Sequence, residues 1–324
     1  MMLRRFRHDY VELSEVEAAA LNSPLYNGYV LEIHPPQFES VPATLTQVIR
    51  EIREIQSGLL QFGNYSPVCA FEIMRTSPDT LHLQLAVPTK RLERKVRAHL
   101  HEAVPAVHFS SGTTGVPVAD EGTIGGGILT AGRQDWFPFE INHSTPPVNH
   151  VIAALHPHAM SGSRFVIQNL FQPVAGISMR RWYNTRRAYQ QIGHLRKHKE
   201  KLWGSRPPTP REQRQADAIE AKVSQPQFWC AIRILVIDAG EHTRSRLKEV
   251  SGAFNIYENP ATNQYFQLET MRPFRRKNVY RFASAVAART YGPWSLRFRV
   301  TEEELGSFVT LPDLQQSNLH YAQA

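Results

Sequence analysis

Apolar and polar positions along the first third of the chain switch between the period of a strand and the period of a helix. The pattern predicts six elements in this order: a strand over Val30–Ile33, a helix over Leu45–Ile55, strands over Val68–Met74 and Leu81–Val87, a helix after Thr89, and a strand over Ala106–Phe109. In the strand over Leu81–Val87 every second residue is Leu or Val, which predicts one buried face. The β-α-β-β-α-β order is that of the ferredoxin-like split unit, an open sheet with two helices on one side.

The pattern weakens over a glycine-rich segment and then starts again. Residues 110–132 hold seven glycines and few apolar anchors, so we predict a flexible loop or linker there. The elements predicted beyond it are a helix over Val148–Leu155, a strand over Arg164–Leu170, a helix over Arg211–Val223, a strand over Phe228–Ile237, a helix over Leu247–Tyr257 and a strand over Asn263–Leu268. This second half ends in β-α-β order, which suggests a diverged copy of the first module.

We therefore predict an α+β protein of two ferredoxin-like modules, the second with a basic helical insertion. The predicted divisions are a first module over residues 1–110, a Gly-rich linker over 111–145, a second α+β module over 146–270 with its basic insertion at 175–223, and a basic C-terminal segment over 271–324. The duplication rests on the order of elements, since no repeat of individual residues is visible.

Composition narrows the class of protein. A chain of 324 residues that is 42% apolar is long enough for a sizeable core, which excludes disorder of the whole chain. Two cysteines, Cys69 and Cys230, are too few for a disulfide framework or a four-cysteine zinc site. No stretch approaches the ~20 apolar residues of a membrane helix, and no apolar segment follows the basic N-terminus as it does in a signal peptide. We expect a cytoplasmic protein, with peripheral contact to the inner face of the membrane through partners.

Positive charge is concentrated in two segments of the chain. Residues 180–211 contain ten Lys or Arg and one acid, and residues 272–299 contain eight Lys or Arg and no acid, although the formal charge of the whole chain is only +8. Aromatic residues are interleaved with both runs. Arg and Lys neutralise phosphates while exposed aromatic rings stack on bases, so this combination is typical of single-strand or backbone binding. The alternative is a solvated helix face and a basic strand packed on acidic neighbours, with the aromatic residues in the core.

The two basic runs supply the candidate binding residues. Those expected to contact nucleic acid are Arg180, Arg181, Arg186, Arg187, Arg196, Lys197, Arg275, Arg276 and Lys277. Those expected to stack on bases or to contact a protein partner are Trp182, Tyr183 and Trp203, although a core position is an equal alternative for both tryptophans.

Motifs for catalysis are weak in this sequence. A nucleotide-binding P-loop needs a Gly-Lys pair, which the chain lacks, so ATP hydrolysis by this polypeptide alone is not expected. His99-Leu-His101 matches the His-hydrophobe-His signature of relaxases and replication initiators, which nick DNA with a metal and a tyrosine such as Tyr183. However, the signature falls on a predicted helix, where residues i and i+2 point apart; His156-Pro-His158 has the same spacing in a loop. We assign no catalytic residue, no metal site and no cofactor.

Short stretches across the chain resemble the N-terminal, pre-ATPase region of conjugative type IV secretion ATPases of the TraG and HerA kind. The stretches that carry the resemblance are Cys69–Met74, His82–Pro88, Asp135–Phe139, Ile167–Pro173, Gln225–Ile234, Thr301–Leu305, Leu311–Asp313 and Asn318–Leu319. The resemblance implies a module that positions a hexameric ATPase against its membrane partners or its DNA substrate. It implies as partners the ATPase or other secretion-complex subunits, and it makes an oligomer such as a ring plausible.

The sequence supports two hypotheses of function. The chain ends at Ala324, where the motor domain begins in the proteins it resembles, so we expect the motor to be a separate chain or to be lost. The leading hypothesis is a non-catalytic assembly, adaptor or DNA-engaging component of a conjugative DNA-transfer machine, binding single-stranded or duplex DNA. The alternative is a nucleic-acid-processing protein of the relaxase or replication-initiator type.

Overall fold

The protein is a mixed α/β structure built on one antiparallel sheet. The computed structural model describes residues 8–36, 41–58, 63–155, 162–176, 179–200, 205–292, 295–313 and 319. Strands in these ranges are β1 (Tyr10–Glu12), β2 (Tyr29–His34), β3 (Cys69–Ser77), β4 (Thr80–Val87), β5 (His108–Ser111), β6 (Thr123–Ala131), β7 (Arg164–Pro173), β8 (Lys199–Glu200), β9 (Ser205–Arg206), β10 (Gln227–Ile237), β11 (Phe266–Thr270) and β12 (Phe298–Thr301). Helices are α1 (Glu15–Asn22), α2 (Thr46–Ile52), α3 (Lys90–Ala103), α4 (Val148–Ala154), α5 (Met179–Arg196), α6 (Pro210–Ser224), α7 (Thr243–Gly252), α8 (Arg276–Ala287) and α9 (Glu302–Phe308).

Ten of these strands form one sheet, and each half of the chain contributes four of them in the same order. In the first half β2, β3, β4 and β5 lie in the order β5-β2-β4-β3. In the second half β6, β7, β10 and β11 lie in the order β11-β6-β10-β7. The halves meet where β3 pairs antiparallel with β7, Glu72 opposite Gln168. From β2 to β5 the elements follow the predicted β-α-β-β-α-β order, whereas β1 and α1, which precede them, were not predicted.

The glycine-rich segment was predicted wrongly as a flexible linker. Its residues Thr123–Ala131 form β6, which pairs with β10 in the interior of the sheet. The glycines allow close packing: a Cβ on Gly126 would lie well inside van der Waals contact with the Phe282 ring of α8, and one on Gly125 would collide with Thr243 of α7. Gly125 and Gly126 therefore occupy positions where helices pack closely against the two faces of β6.

Helices cover both faces of the sheet. Against one face α2, α3, α4, α7 and α9 bury apolar residues in the main core, including the Leu81–Val87 stripe that the alternation predicts. Against the other face α1 and α8 pack in a smaller core around Phe282. Among the described helices, none combines the length and the apolar character needed to cross a membrane.

A buried polar network crosses the junction between the halves on the face that carries α8. Gln168 Nε2 donates to Glu72 Oε1 at 2.6 Å, and Arg289 Nη2 donates to Glu72 Oε2 at 2.7 Å. Arg233 Nε donates to Gln168 Oε1 at 2.9 Å. Because both members of the Glu72–Arg289 ion pair are almost completely buried, the network links β3, β7, β10 and the end of α8 into one unit.

Candidate nucleic-acid interface

A helical hairpin made of α5 and α6 projects from the sheet between β7 and β10. Its two helices pack through a small apolar core of their own, which contains Ala188, Ile192, Leu195, Ala216, Ile219 and the loop residue Phe137. Helix α6 starts with a capping box, in which the Thr209 hydroxyl accepts from the Glu212 backbone N–H at 3.3 Å. A buried ion pair between Lys222 Nζ and Glu304 Oε1, 2.8 Å long, ties α6 to α9. The hairpin is therefore fixed to the body of the protein, and α5 turns one face outward.

The outward face of α5 carries exposed aromatic rings beside an arginine. Trp182, Arg186 and Tyr189 follow at i, i+4 and i+7, which places them on one side of the helix. The two aromatic residues are 59% and 52% exposed, so the alternative in which the rings of this run fill a core does not hold for them. The Arg186 guanidinium lies 5.3 Å from the centroid of the Trp182 ring, within reach of a cation–π interaction.

These three residues line a cleft of about 770 Å³ between the hairpin and the body of the protein. The opposite wall is formed by Arg53 and Ile55, which follow α2, and by the segment Gln225–Gln227 that enters β10. None of the described residues lining this cleft is acidic. A volume of this size lies within the ~300–1,000 Å³ typical of ligand pockets, so the α5 cleft has the space and the sign of charge for an anionic ligand with a flat apolar part.

A second aromatic–arginine pair on α5 lies outside this cleft. The Arg187 guanidinium donates to the Tyr183 hydroxyl and lies 4.9 Å from the centroid of its ring. Both side chains are exposed, yet neither lines the cleft. The structure thus splits the predicted contact residues of α5 into a cleft pair, Trp182 and Arg186, and an outer pair, Tyr183 and Arg187.

Near the C-terminal end of α5 much of the basic charge is neutralised by α6. Arg196 Nη2 lies 2.7 Å from Asp217 Oδ1 and 2.6 Å from Glu220 Oε2, and hydrogen bonds to these carboxylates raise the pKa of Arg196. Arg206 and Lys199 hold the pKa of Glu212 well below its usual range. Lys197, just after the helix, is exposed. Arg196 is therefore paired within the hairpin, and its contact with nucleic acid stays a prediction.

Three other predicted residues of the first basic run, Arg180, Arg181 and Trp203, lie wholly or partly outside the described part of the chain. Arg180 and Arg181 lie in the first turn of α5, but their side chains fall outside the described part of the chain. Trp203 lies outside the described residues altogether.

The basic residues near α8 form a separate group. Arg276 Nη2 lies 2.9 Å from Glu17 Oε2, so α1 partly neutralises it, whereas Arg275 and Lys277 are exposed at the start of α8. Arg275 lines a second cleft of about 510 Å³ together with the exposed Phe274 and with Glu269. In the part of the chain that the structure describes, no residue lines both clefts. The two predicted basic groups therefore line different clefts.

The histidine pairs form no metal site in the described part of the chain. His99 and His101 both lie on α3, as expected, and His99 Nδ1 lies 3.4 Å from Glu102 Oε2 of the same helix. His156 and His158 lie outside the described residues. Within the described ranges, no three His, Cys, Asp or Glu side chains cluster in a way that fits a metal ion.

Neither cysteine has the character of a reactive thiol. Cys69 and Cys230 are both buried and unbridged. Burial raises the pKa of Cys69 to about 12 and raises that of Cys230 well above its usual range. Both thiols therefore stay protonated at neutral pH and act as small apolar core residues.

Sequence reasoning missed several residues of the α5 cleft. Tyr189 belongs to the basic run and could have been selected by its i+7 spacing from Trp182. Arg53 and Ile55 lie more than 120 positions earlier in the chain, and no local signal connects them to α5. Arg53 is also held by an ion pair of 2.7 Å with Glu302, so Arg186 supplies the less restrained positive charge of the cleft.

The fold and the cleft together define a class: an antiparallel α/β protein whose inserted helical hairpin presents aromatic and basic side chains to a concave surface. Over residues 3–324 the chain matches the model of a family described as a domain of unknown function, DUF8128. Because the match covers nearly the whole sequence, the chain belongs to this family. Comparison with curated proteins finds no match.

Proposed function

We propose that this protein is a non-catalytic, DNA-engaging component of a conjugative DNA-transfer machine, and that the α5 cleft is its contact with nucleic acid. One observation supports binding of nucleic acid: Trp182, Arg186 and Tyr189 of α5 line a cleft, and none of the described residues that line it is acidic. Arg binds phosphate through charge and paired N–H donors, and exposed rings offer stacking surfaces for bases. This pairing of groups suits nucleic acid better than it suits a simple inorganic anion.

We also infer that each half of the sheet is a ferredoxin-like module. Both halves place their strands in the order fourth, first, third, second, with antiparallel neighbours throughout. The helices between first and second and between third and fourth strands, α2 and α3 in one half and α4 and α7 in the other, cover the same face. This arrangement supports an origin by duplication, with α5 and α6 inserted into the second copy.

The setting in conjugation rests on the resemblance to the pre-ATPase region of TraG- and HerA-like proteins. On this proposal, a separate chain or domain supplies ATP hydrolysis, and the partners are the conjugative ATPase or other secretion-complex subunits. The protein then works at the inner face of the membrane as part of an oligomer, with membrane contact made through those partners.

The experiment that tests the binding part is a salt titration with labelled single-stranded and duplex DNA, followed by fluorescence anisotropy. We expect the logarithm of the affinity to fall linearly with the logarithm of salt concentration, by ~0.7 to ~0.9 per phosphate neutralised. Arg186→Gln should weaken binding and lower that slope by about one phosphate contact. Arg196→Gln is the matched control: it removes the same charge from the same helix, but from a residue already paired with two carboxylates. Salt-independent binding, absence of binding, or equal slopes for both variants would contradict the proposal.

A further inference from the structure

We infer that the α5 cleft takes single-stranded rather than duplex nucleic acid, with a base stacked on Trp182; this inference rests on the proposed function. The first argument is the direction in which the aromatic face points. A helix that reads duplex DNA must protrude so that it enters the major groove, which is about 12 Å wide. The face of α5 that carries Trp182 instead looks into a cleft whose other wall is formed by Arg53 and Ile55. A flexible single strand can follow such a concave surface, whereas a rigid duplex needs a protruding element that enters its groove.

The second argument is the chemistry of the cleft lining. Ile55, Val174, Val223 and Pro226 contribute apolar surface, while Gln225 and Gln227 contribute amide groups. A duplex presents phosphates and sugars on its outside and keeps its bases stacked within. A single strand exposes the faces of its bases to apolar surface and their edges to hydrogen-bonding amides. The mixed lining therefore matches an unpaired base.

The third argument is the balance between stacking and charge. Of the arginines that line the cleft, Arg53 is paired with Glu302, whereas Arg186 forms no ion pair with a carboxylate of the described residues. A few phosphate contacts alone give weak, salt-sensitive binding. Two half-exposed rings, Trp182 and Tyr189, are present at the same place, and base stacking does not depend on salt as phosphate contacts do. Stacking therefore has to supply a substantial part of the affinity.

Because Arg186 lies over the Trp182 ring, phosphate and base contacts are made next to each other. The guanidinium is 5.3 Å from the ring centroid, so one nucleotide meets both groups at once: its base at the indole and its phosphate at the arginine. The outer pair offers the same two residue types without the cleft wall. Tyr183 thus provides an internal control for a stacking ring that lacks the enclosing surface.

The test compares three labelled ligands of equal length by anisotropy at fixed low salt: oligo(dT), an abasic oligodeoxynucleotide, and a duplex. Oligo(dT) is expected to bind most tightly, and oligo(U) in a parallel titration shows whether the 2′-hydroxyl is tolerated. Trp182→Ala should weaken oligo(dT) binding about 5- to 150-fold, the range that corresponds to loss of one stacking contact, and should leave binding of the abasic ligand within twofold. Trp182→Phe should restore most of the affinity, and Tyr183→Ala should change it less than twofold.

The outcomes separate the inference from the proposed function. Three results would contradict the inference of base stacking in the cleft and leave polyanion binding in place. They are equal binding of the abasic ligand and oligo(dT), an equal loss for both ligands in Trp182→Ala, and tightest binding of the duplex. If none of the ligands binds, both the stacking inference and the proposed function are wrong. Circular dichroism and thermal unfolding of each variant verify folding, which is expected to be intact because Trp182 is 59% exposed.

Discussion

Removing the positive partner of the buried network at the junction of the two halves should destabilise the whole protein. Arg289 follows α8 in a left-handed conformation, with φ 52°, a position that usually favours glycine. Its guanidinium donates to Glu72 at 2.7 Å and to the backbone carbonyls of Thr113 and Thr114, each at 2.8 Å. Arg289→Met keeps an unbranched apolar stem and the backbone strain but removes every one of these bonds. Glu72 is then a buried carboxylate that still accepts a hydrogen bond from Gln168 but has lost its positive partner.

The expected loss is large on the scale of protein stability. Breaking a buried ion pair from one side typically costs about 3–5 kcal/mol, because the other charge stays buried without compensation. At ~2.1 cal/mol/K per residue, the unfolding entropy of 324 residues is about 0.7 kcal/mol/K near the midpoint. The variant should therefore unfold about 4–7 °C below the unaltered protein in calorimetry, with a matching decrease in the urea midpoint.

A double-mutant cycle distinguishes a lost ion pair from a lost packing contact. Glu72→Gln keeps an oxygen that accepts from Gln168 but removes the charge. If the uncompensated carboxylate causes the loss, Glu72→Gln combined with Arg289→Met should be more stable than Arg289→Met alone, with a coupling energy of about 1–3 kcal/mol. Additivity within about 0.5 kcal/mol, or a midpoint change below 1 °C for Arg289→Met, would refute the reasoning.

Three further predictions concern packing, capping and pH. Gly126→Ala should lower the urea midpoint by the equivalent of about 1–3 kcal/mol, because its Cβ collides with the ring of Phe282. Gly193→Ala in helix α5 is the control: a Cβ there meets nothing within 4 Å, so this substitution should be neutral or stabilising. Thr209→Ala should cost about 1 kcal/mol in urea unfolding through loss of the α6 cap. Burial lowers the pKa of His143 below 6.5 in the folded protein. As the pH falls through and below 6.5, the unfolded chain therefore takes up the proton first, and the free energy of unfolding decreases. Calorimetry between pH 5 and 8 should show a smaller decrease for His143→Gln.

The sequence predicts those strands whose side chains carry the pattern and misses those defined by packing. Leu81–Val87 alternates, and its apolar residues are buried in the main core as expected. Strand β6 has no such pattern, because three consecutive glycines occupy positions where α7 and α8 approach the sheet. Only the packing of these helices in the tertiary structure explains why glycine occupies these positions. Helix α8 was missed for a related cause, since its basic first turn obscured the buried stripe that contains Phe282 and Val286.

For the site, the sequence locates the charge but not the partners that neutralise it. Arg276 pairs with Glu17 and Arg289 with Glu72, residues more than 200 positions away along the chain. Arg299 is likewise bound to Asp135 at 2.9 Å. The acidic remainder of the chain therefore cancels part of each basic run within one molecule. Counting charges along the sequence cannot reveal these ion pairs, because the tertiary structure determines which basic residues lie next to a carboxylate.

The long connection between β7 and β10 explains why the cleft lies beside the second half of the sheet only. In the first half β3 and β4 are joined by the two residues Pro78 and Asp79. The equivalent connection in the second half, from β7 to β10, spans residues 174–226 and contains α5 and α6. Its two ends are adjacent, because the Val174 N–H donates to the Gln227 carbonyl at 2.9 Å, so the hairpin leaves the pairing of β7 with β10 intact. A tight turn offers no surface for a ligand, and the aromatic and basic residues of α5 therefore belong to a feature that the common sheet architecture does not require.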